Sequence, residues 1–239
     1  GEQILERARR ILEQAADIRD LANSGMDQLT GPLSVGVLPT IGPYLLPQFI
    51  PLLQRLAPQM PLCVAEDFAP ILAKKLRQGE LDALIVTAPF SEVDVVTQVL
   101  FEEPFVLLVP AGHALAGKAE IQAEDLLERD VLLPAEGHCI REQILAAFPF
   151  LRTAAARPGV AQAGSLETLR HMVASGLGVT ILPLAAAQLP IYAANVISVR
   201  PFTNPAPSRQ LVLAWRASFP RHKAIDVMRR AVQACSPAY

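Results

Sequence analysis

The sequence predicts an α/β protein of two lobes, each built on a mostly parallel sheet covered by helices. Three observations carry this. Short apolar runs of β type alternate with helix-spaced runs from residue 33 onward. The strands are apolar throughout rather than alternating, as in sheets buried on both faces. And 239 residues suffice for two cores of about 100 residues each.

A helix precedes the alternation. Ile4, Ala8, Ile11, Ala15, Ile18 and Ala22 recur at steps of four and three, the seam of a short coiled coil. Glu2, Glu6, Arg9, Arg10, Glu13, Asp17 and Asp20 lie off that seam. Such a helix is about 33 Å long, and Asn23, Ser24 and Gly25 end it. Small alanines alternating with isoleucine suit close helix pairing, so residues 1–30 read as a linker and dimerisation helix; docking on its own domain is the alternative.

Residues 33–38 (LSVGVL) form the first strand, and the stretch 39–43 interrupts it. Residues 44–56 then place Leu45, Leu46, Phe49, Ile50, Leu53 and Leu56 on one side of a helix. A strand follows at 62–66, a helix at 71–77, a strand at 81–86 after the turn 78–80, and an apolar strand at 105–109. The second set comprises a short helix at 123–127, a strand at 131–133, and helices at 140–147 and 166–174. A strand at 179–182 ends at Pro183. Strands at 196–199 and 211–215 and a closing helix at 223–234 complete it. The proline-rich 201–207 (PFTNPAP) reads as the segment that crosses back. Lobe I is therefore residues 31–101 with 208–239, lobe II is 102–207, and a cleft is expected between them.

Composition excludes several classes. With 21 Lys+Arg against 23 Asp+Glu, nothing concentrates positive potential on phosphates, so this chain is not itself a nucleic-acid clamp. A hydrophobic share of 51% with 18% charged residues argues against disorder. No apolar run reaches the roughly 18 residues that span a bilayer, and no signal-peptide pattern opens the sequence. No membrane partner is expected. Cys63, Cys139 and Cys235 make an odd count, far below a disulfide scaffold, which favours a reducing cytoplasm. Starting at Gly1 rather than methionine, the chain reads as a fragment of a longer protein.

Several motifs run across nearly the whole chain: Gly36, Leu45-Leu46-Pro47 before Phe49, Pro58 with Leu62, and Leu76-x-x-Gly79-x-Leu81-Asp82-Ala83-x-Ile85. Leu108-Val109-Pro110-x-x-His113-x-Leu115 and Val173-x-x-Gly176-x-Gly178-x-x-x-Leu182-Pro183 continue them. In these residues the sequence resembles the effector domain of LysR-type transcriptional regulators. The resemblance implies two Rossmann-like lobes of periplasmic-binding-protein type II architecture behind a linker helix. It also implies a winged helix-turn-helix that this chain lacks, through which promoter DNA is bound. A homodimer or dimer-of-dimers tetramer and contact with RNA polymerase are implied with it.

Four segments are similar to the peroxide-sensing branch of that family: 38–47 (LPTIGPYLLP), 137–143 (GHCIREQ), 165–174 (SLETLRHMVA) and 215–221 (WRASFPR). Gly-His-Cys, with arginine two residues after the cysteine, is the most specific. This branch implies that Cys139 is a peroxidatic, redox-sensing cysteine and that hydrogen peroxide is its reactant. The residues offer a chemistry for it. A thiol attacks peroxide as its thiolate, so the anion must be favoured and the sulfur reachable. The turn 134–137 between strand and helix puts Cys139 in a first helical turn, where unsatisfied N–H groups favour an anion. Arg141 supplies a fixed positive charge, and His138 a hydrogen bond or a proton relay. The product is a sulfenic acid.

The resemblance implies further roles. Thr40, with Gly42 in the same turn, matches the hydroxyl that helps seat peroxide, and Glu142 would orient Arg141 or a water. Ser165 and Thr168 open a helix facing the cleft where relatives hold small effectors; as residues they also read as an N-cap. Two positions depart from the pattern. Phe148 stands where the resolving cysteine belongs, nine residues after Cys139, so the usual disulfide cannot form. Ala69 replaces a second peroxide-contacting threonine. Cys63, in an alternating strand, reads as core, and Cys235, near the end of the last helix, as incidental.

Gly176-Leu177-Gly178 meets Ile181 where a third glycine would be needed, so it is a turn rather than a dinucleotide site. There is no G-x-S-x-G elbow or Walker A loop, and His113, His138, His171 and His222 show no metal-ligand spacing. No cofactor is expected. The expected function is a non-enzymatic sensor domain of a peroxide-responsive transcription regulator. The alternative is an effector domain binding a small inducer in the interlobe cleft without redox chemistry; a thiol peroxidase is more remote, for want of a resolving cysteine.

Overall fold

The computed structural model describes residues 28–127, 129–155, 162–188 and 195–235. The expected linker helix lies outside them, apart from residues 28–30. In chain order the elements are β1 (Leu33–Val37), α1 (Gly42–Leu56), β2 (Leu62–Glu66), α2 (Ala69–Arg77), β3 (Ala83–Thr87), β4 (Val95–Pro110) and β5 (Val131–Pro134). Then come α3 (Cys139–Ala147), α4 (Leu151–Ala155), β6 (Gln162–Ala163), α5 (Leu166–Ala174), β7 (Val179–Pro183), α6 (Leu184–Ala187), β8 (Ile197–Pro201), β9 (Ser208–Arg216) and α7 (His222–Gln233). Short 3-10 turns occupy Ala114–Gly117 and Ala123–Leu126.

Two compact units result. The described residues up to Phe101, with those from Gln210 onward, form one; Glu102–Arg209 form the other. In the first, β1 pairs in parallel with β2 and β3, and β9 runs antiparallel to β3 through Leu211–Trp215. Leu33, Val35 and Val37 are fully buried. A Cβ on Gly36 would lie 2.6–2.9 Å from side-chain carbons of Leu72, Leu81 and Leu84, so only glycine lets these leucines close on β1. Helix α1 buries Tyr44, Leu45, Phe49 and Leu53 and turns Pro47 and Pro51 outward, where their missing N–H groups leave carbonyls to solvent rather than to the core. It packs on α7, whose inner face is Ala224, Ile225, Val227, Met228, Ala231 and Val232.

The residue ahead of α7 fastens the unit's first described segment. Arg221 donates through Nε to the Gln28 carbonyl (3.0 Å) and through Nη1 to Pro32 (2.7 Å). Its Nη2 serves Thr30 (2.9 Å) and Gly31 (3.3 Å). Gln28 Oε1 in return accepts from the Lys223 N–H at 2.9 Å. One planar guanidinium thus satisfies four backbone carbonyls.

In the second unit β4 lies between β7 and β8, antiparallel to both, while β7 and β6 flank β5 in parallel. Its core includes Phe105, Leu107, Ile140, Ile144, Leu169, Val173 and Ile181. A buried ion pair sits beside the two strands that link the units: Glu103 Oε2 accepts from Arg209 Nε and Nη2, both at 2.8 Å. Glu103 Oε1 takes the Ala185 N–H of α6 at 3.0 Å, so both carboxylate oxygens are used.

The structure corrects the sequence reading in four places. The sheets are mixed rather than mostly parallel, because β4 and β9, which carry the chain between the units, run against their parallel neighbours. The crossing lies inside those strands and not at 201–207, where Pro201 ends β8 and Phe202 bridges to Ile121. Strand β4 starts at Val95, ten residues before its apolar run, because residues 96–99 are exposed and partly polar. Cys63 is exposed rather than core, because among the described residues β2 pairs with β1 alone and forms a sheet edge. The two-residue β6 and the short α4 and α6 were too brief to show a period. Among the described residues no helix is long and apolar enough to cross a membrane.

Replacing Arg209 by Met strands the Glu103 carboxylate in the core, where an uncompensated charge costs about 3–5 kcal/mol. Urea unfolding followed by circular dichroism should show that loss in the Arg209→Met protein; a loss of only about 1 kcal/mol, the range of a surface pair, would contradict it.

Candidate functional site

All four residues of β5 are buried, and the strand runs out at Pro134. The turn behind it opens to solvent at Glu136 and Gly137. Gly137 has φ +91°, a left-handed backbone that favours glycine. His138, extended at φ −78° and ψ 123°, is the N-cap residue of α3 and is buried. Its carbonyl accepts from the Arg141 N–H at 3.0 Å. The helix starts here because Ile140 and Ile144, both fully buried, turn its inner face into the core.

Cys139 is the first residue of α3 and is half-buried. The leading N–H groups of a helix lack intrahelical partners and carry its positive end, which favours an anion. Residues two apart on a helix do not face each other, yet Arg141 does not point away from this end. Its guanidinium is carried back to the preceding strand, where Nη1 donates to the Pro134 carbonyl at 2.8 Å, and only 6% of the residue is exposed. A buried cation therefore adjoins the turn that holds the thiol.

The other expected site residues are placed differently. Glu142 turns outward on α3 and pairs with Arg152 at 3.4 Å. Both side chains are more than half exposed, so this is a surface pair, and Glu142 is not what holds Arg141. Ser165 caps α5: its Oγ accepts from the Thr168 N–H at 3.1 Å and lies 2.9 Å from Thr168 Oγ1. Thr40 and Gly42 belong to the other unit. Thr40 is buried in the turn before α1. Gly42 opens α1, and a Cβ there would collide with the Glu66 carboxylate, so its bare Cα leaves room for that group. Cys139, His138 and Arg141 are thus gathered in one turn; Ser165 and Thr168 answer chiefly to each other.

Phe148 closes α3 at its far end. Its N–H donates to the Ile144 carbonyl at 2.8 Å. Its ring, 2% exposed, lies 5.0 Å from that of Phe202 and 6.1 Å, edge-on, from that of Phe150. Nine helical steps separate residues 139 and 148 by about 13 Å, whereas a disulfide needs Cα atoms within about 7 Å. With α3 intact, nothing at position 148 could bond to Cys139.

Sequence reasoning missed the Pro134 carbonyl, a backbone acceptor with no signature of its own, and Phe202, hidden in a proline-rich stretch read as a connector. Among the described residues no group of three His, Cys, Asp or Glu side chains could hold a metal. Cys235 is buried beyond α7; its Sγ donates to the Ala231 carbonyl at 3.1 Å, and burial pushes its thiol up from the ordinary range.

This fold and site define a class: the LysR substrate binding domain matches residues 26–236, and the chain belongs to that family. Its architecture is the type II periplasmic-binding-like fold of that family. Within it, the chain is similar to proteins named for hydrogen peroxide. It is 35% identical over 236 residues to the probable hydrogen peroxide-inducible genes activator of Streptomyces viridosporus, covering 98% of this chain and 74% of that protein. It is 31% identical over 234 residues to the DNA-binding transcriptional dual regulator OxyR of Escherichia coli K12, covering 98% and 76%. Full-length OxyR from Pseudomonas aeruginosa matches its structure with a TM-score of 0.87 at 50% identity, over 100% of this chain and 79% of that one. The reduced OxyR regulatory domain of the same organism gives 0.79 at 51% identity, over 87% and 100%.

The surroundings of the thiols set an order of alkylation. With iodoacetamide at mildly alkaline pH, peptide mass analysis should find exposed Cys63 modified well before Cys235. The Cys235 rate should climb only at higher pH, because its raised thiol ionises later. Equal rates for the two would contradict the burial described.

Proposed function

We propose that this chain is the sensor domain of a peroxide-responsive LysR-type transcription regulator, switched by oxidation of Cys139. The observation that carries this is the half-buried Cys139 at the start of α3, in one turn with buried Arg141. The names of its relatives support the choice of oxidant.

In this reading the Cys139 thiolate attacks one peroxide oxygen. The S–O bond forms as the O–O bond breaks; sulfur is oxidised to a sulfenic acid, and hydroxide leaves and takes up a proton to become water. The attacking species is the thiolate, and His138, next in the chain, can pass the departing proton. Each sulfur reacts once per signal, so the domain acts as a switch and not as a turnover enzyme. The first segment to feel the new oxygen is 134–141, bound to itself through Arg141 and the Pro134 carbonyl. A change there would be relayed to promoter DNA, and to RNA polymerase, by a separate DNA-binding domain within a dimer or tetramer in the cytoplasm.

The test is trapping. After one equivalent of hydrogen peroxide, a 1,3-dione should label Cys139 in the parent and leave the Cys139→Ser protein unlabelled at that peptide. Arg141→Met should slow labelling about tenfold, the equivalent of about 1.4 kcal/mol in the barrier. Equal total label in the parent and Cys139→Ser would sink the assignment.

A further inference from the structure

Residues 28–32 are fastened to the first unit by contacts that the oxidation of Cys139 does not use. We infer that Arg221 is the joint that makes this segment part of the unit, so that a turn of the unit is imposed on the chain ahead of Gln28. The signalling side of this inference rests on the sensor role proposed above.

The segment is held from two sides. From one, the Arg221 guanidinium engages the carbonyls of Gln28, Thr30, Gly31 and Pro32, while the Lys223 N–H donates to Gln28 Oε1. From the other, the Gly31 N–H donates to the Gln59 carbonyl at 3.0 Å and the Leu33 N–H to the Pro61 carbonyl at 2.9 Å. The same few residues are thus tied to two stretches far apart in the sequence.

Arg221 is itself anchored on both sides. Its carbonyl accepts from the Ala224 N–H at 3.0 Å and the Ile225 N–H at 3.3 Å, which starts α7. Ahead of it, the turn 217–220 is pinned by the Ala217 N–H on the Asp94 carbonyl at 2.8 Å and by buried Phe219. That turn follows β9, one of the two strands that cross between the units. At the far end of α7, Gln233 Nε2 donates at 3.4 Å to the Leu100 carbonyl of β4, the other crossing strand. The closing segment therefore reaches both crossing strands and, through one side chain, residues 28–32. A guanidinium suits this task. Its planar fork fixes the directions of several acceptors at once and its charge does not titrate, whereas a lysine ammonium is a point charge on a flexible stem.

The experiment follows amide hydrogen exchange by NMR in the whole chain, for the parent, Arg221→Met and Arg221→Lys. Exchange at Gly31 and Leu33 is expected to quicken about tenfold in both variants, with Val35 on β1 and Val212 on β9 unchanged. Rates within about twofold of the parent in either variant would overturn the joint. So would an equal rise at all four amides, which marks a general stabiliser. In the longer protein that carries a DNA-binding domain, Arg221→Met should leave 1,3-dione trapping of Cys139 at the parent's rate. It should lower the promoter's response to hydrogen peroxide about tenfold; an undiminished response overturns the relay. If the 1,3-dione traps nothing at Cys139 in the parent, the sensor reading has failed and the relay with it, while exchange at Gly31 still decides the joint.

Discussion

The hydrogen bond from Arg141 Nη1 to the Pro134 carbonyl fixes the geometry on which the site depends. A guanidinium keeps its proton at any working pH, and burying one is costly unless something answers its charge. A carbonyl answers with a dipole only. Two side chains of the adjoining segment belong to acidic residue types, the exposed Glu136 carboxyl in the turn and the half-buried Cys139 thiol at the start of the helix. Because Ile140 is locked in the core between Cys139 and Arg141, neither neighbour can drift without disturbing the packing.

Helix α3 divides its labour between its ends. The first turn is polar, half-exposed and close to an open loop; the last is closed by three packed aromatic rings. The first end is tied by the Arg141–Pro134 bond together with the backbone bonds from the Ala135 N–H to the Ala163 carbonyl (2.8 Å) and from the Arg141 N–H to the His138 carbonyl (3.0 Å), whereas the other end is held by aromatic contacts and apolar burial.

Most elements were legible because hydrophobic period needs only the chain. The helix 166–174 and the strands around 33–37 and 179–183 lie where their spacing put them. The Cys139 turn was also readable, since a strand, a glycine turn and an apolar helix face follow in order. What escaped was decided by neighbours distant in sequence. Whether Cys63 is core or edge depends on how many strands flank β2. The direction of Glu142 depends on Arg152, ten residues on, and that of Arg141 on a backbone oxygen that carries no side-chain signal. The antiparallel course of β9 depends on β3, more than a hundred residues earlier.

The Arg221 fastening has a consequence for how the protein is made. It binds residues up to 193 positions apart, and the same closing segment supplies β9 and α7. On the ribosome, the contiguous unit Glu102–Arg209 is delivered whole, while the earlier one waits with the edge of β3 unpaired and the apolar side of α1 uncovered. Only when β9 and α7 emerge can that half be sealed. A nascent chain of this design exposes an adhesive strand edge from the synthesis of β3 until that of β9, so its yield in the cell is set by what shields that edge as much as by the stability of the finished fold.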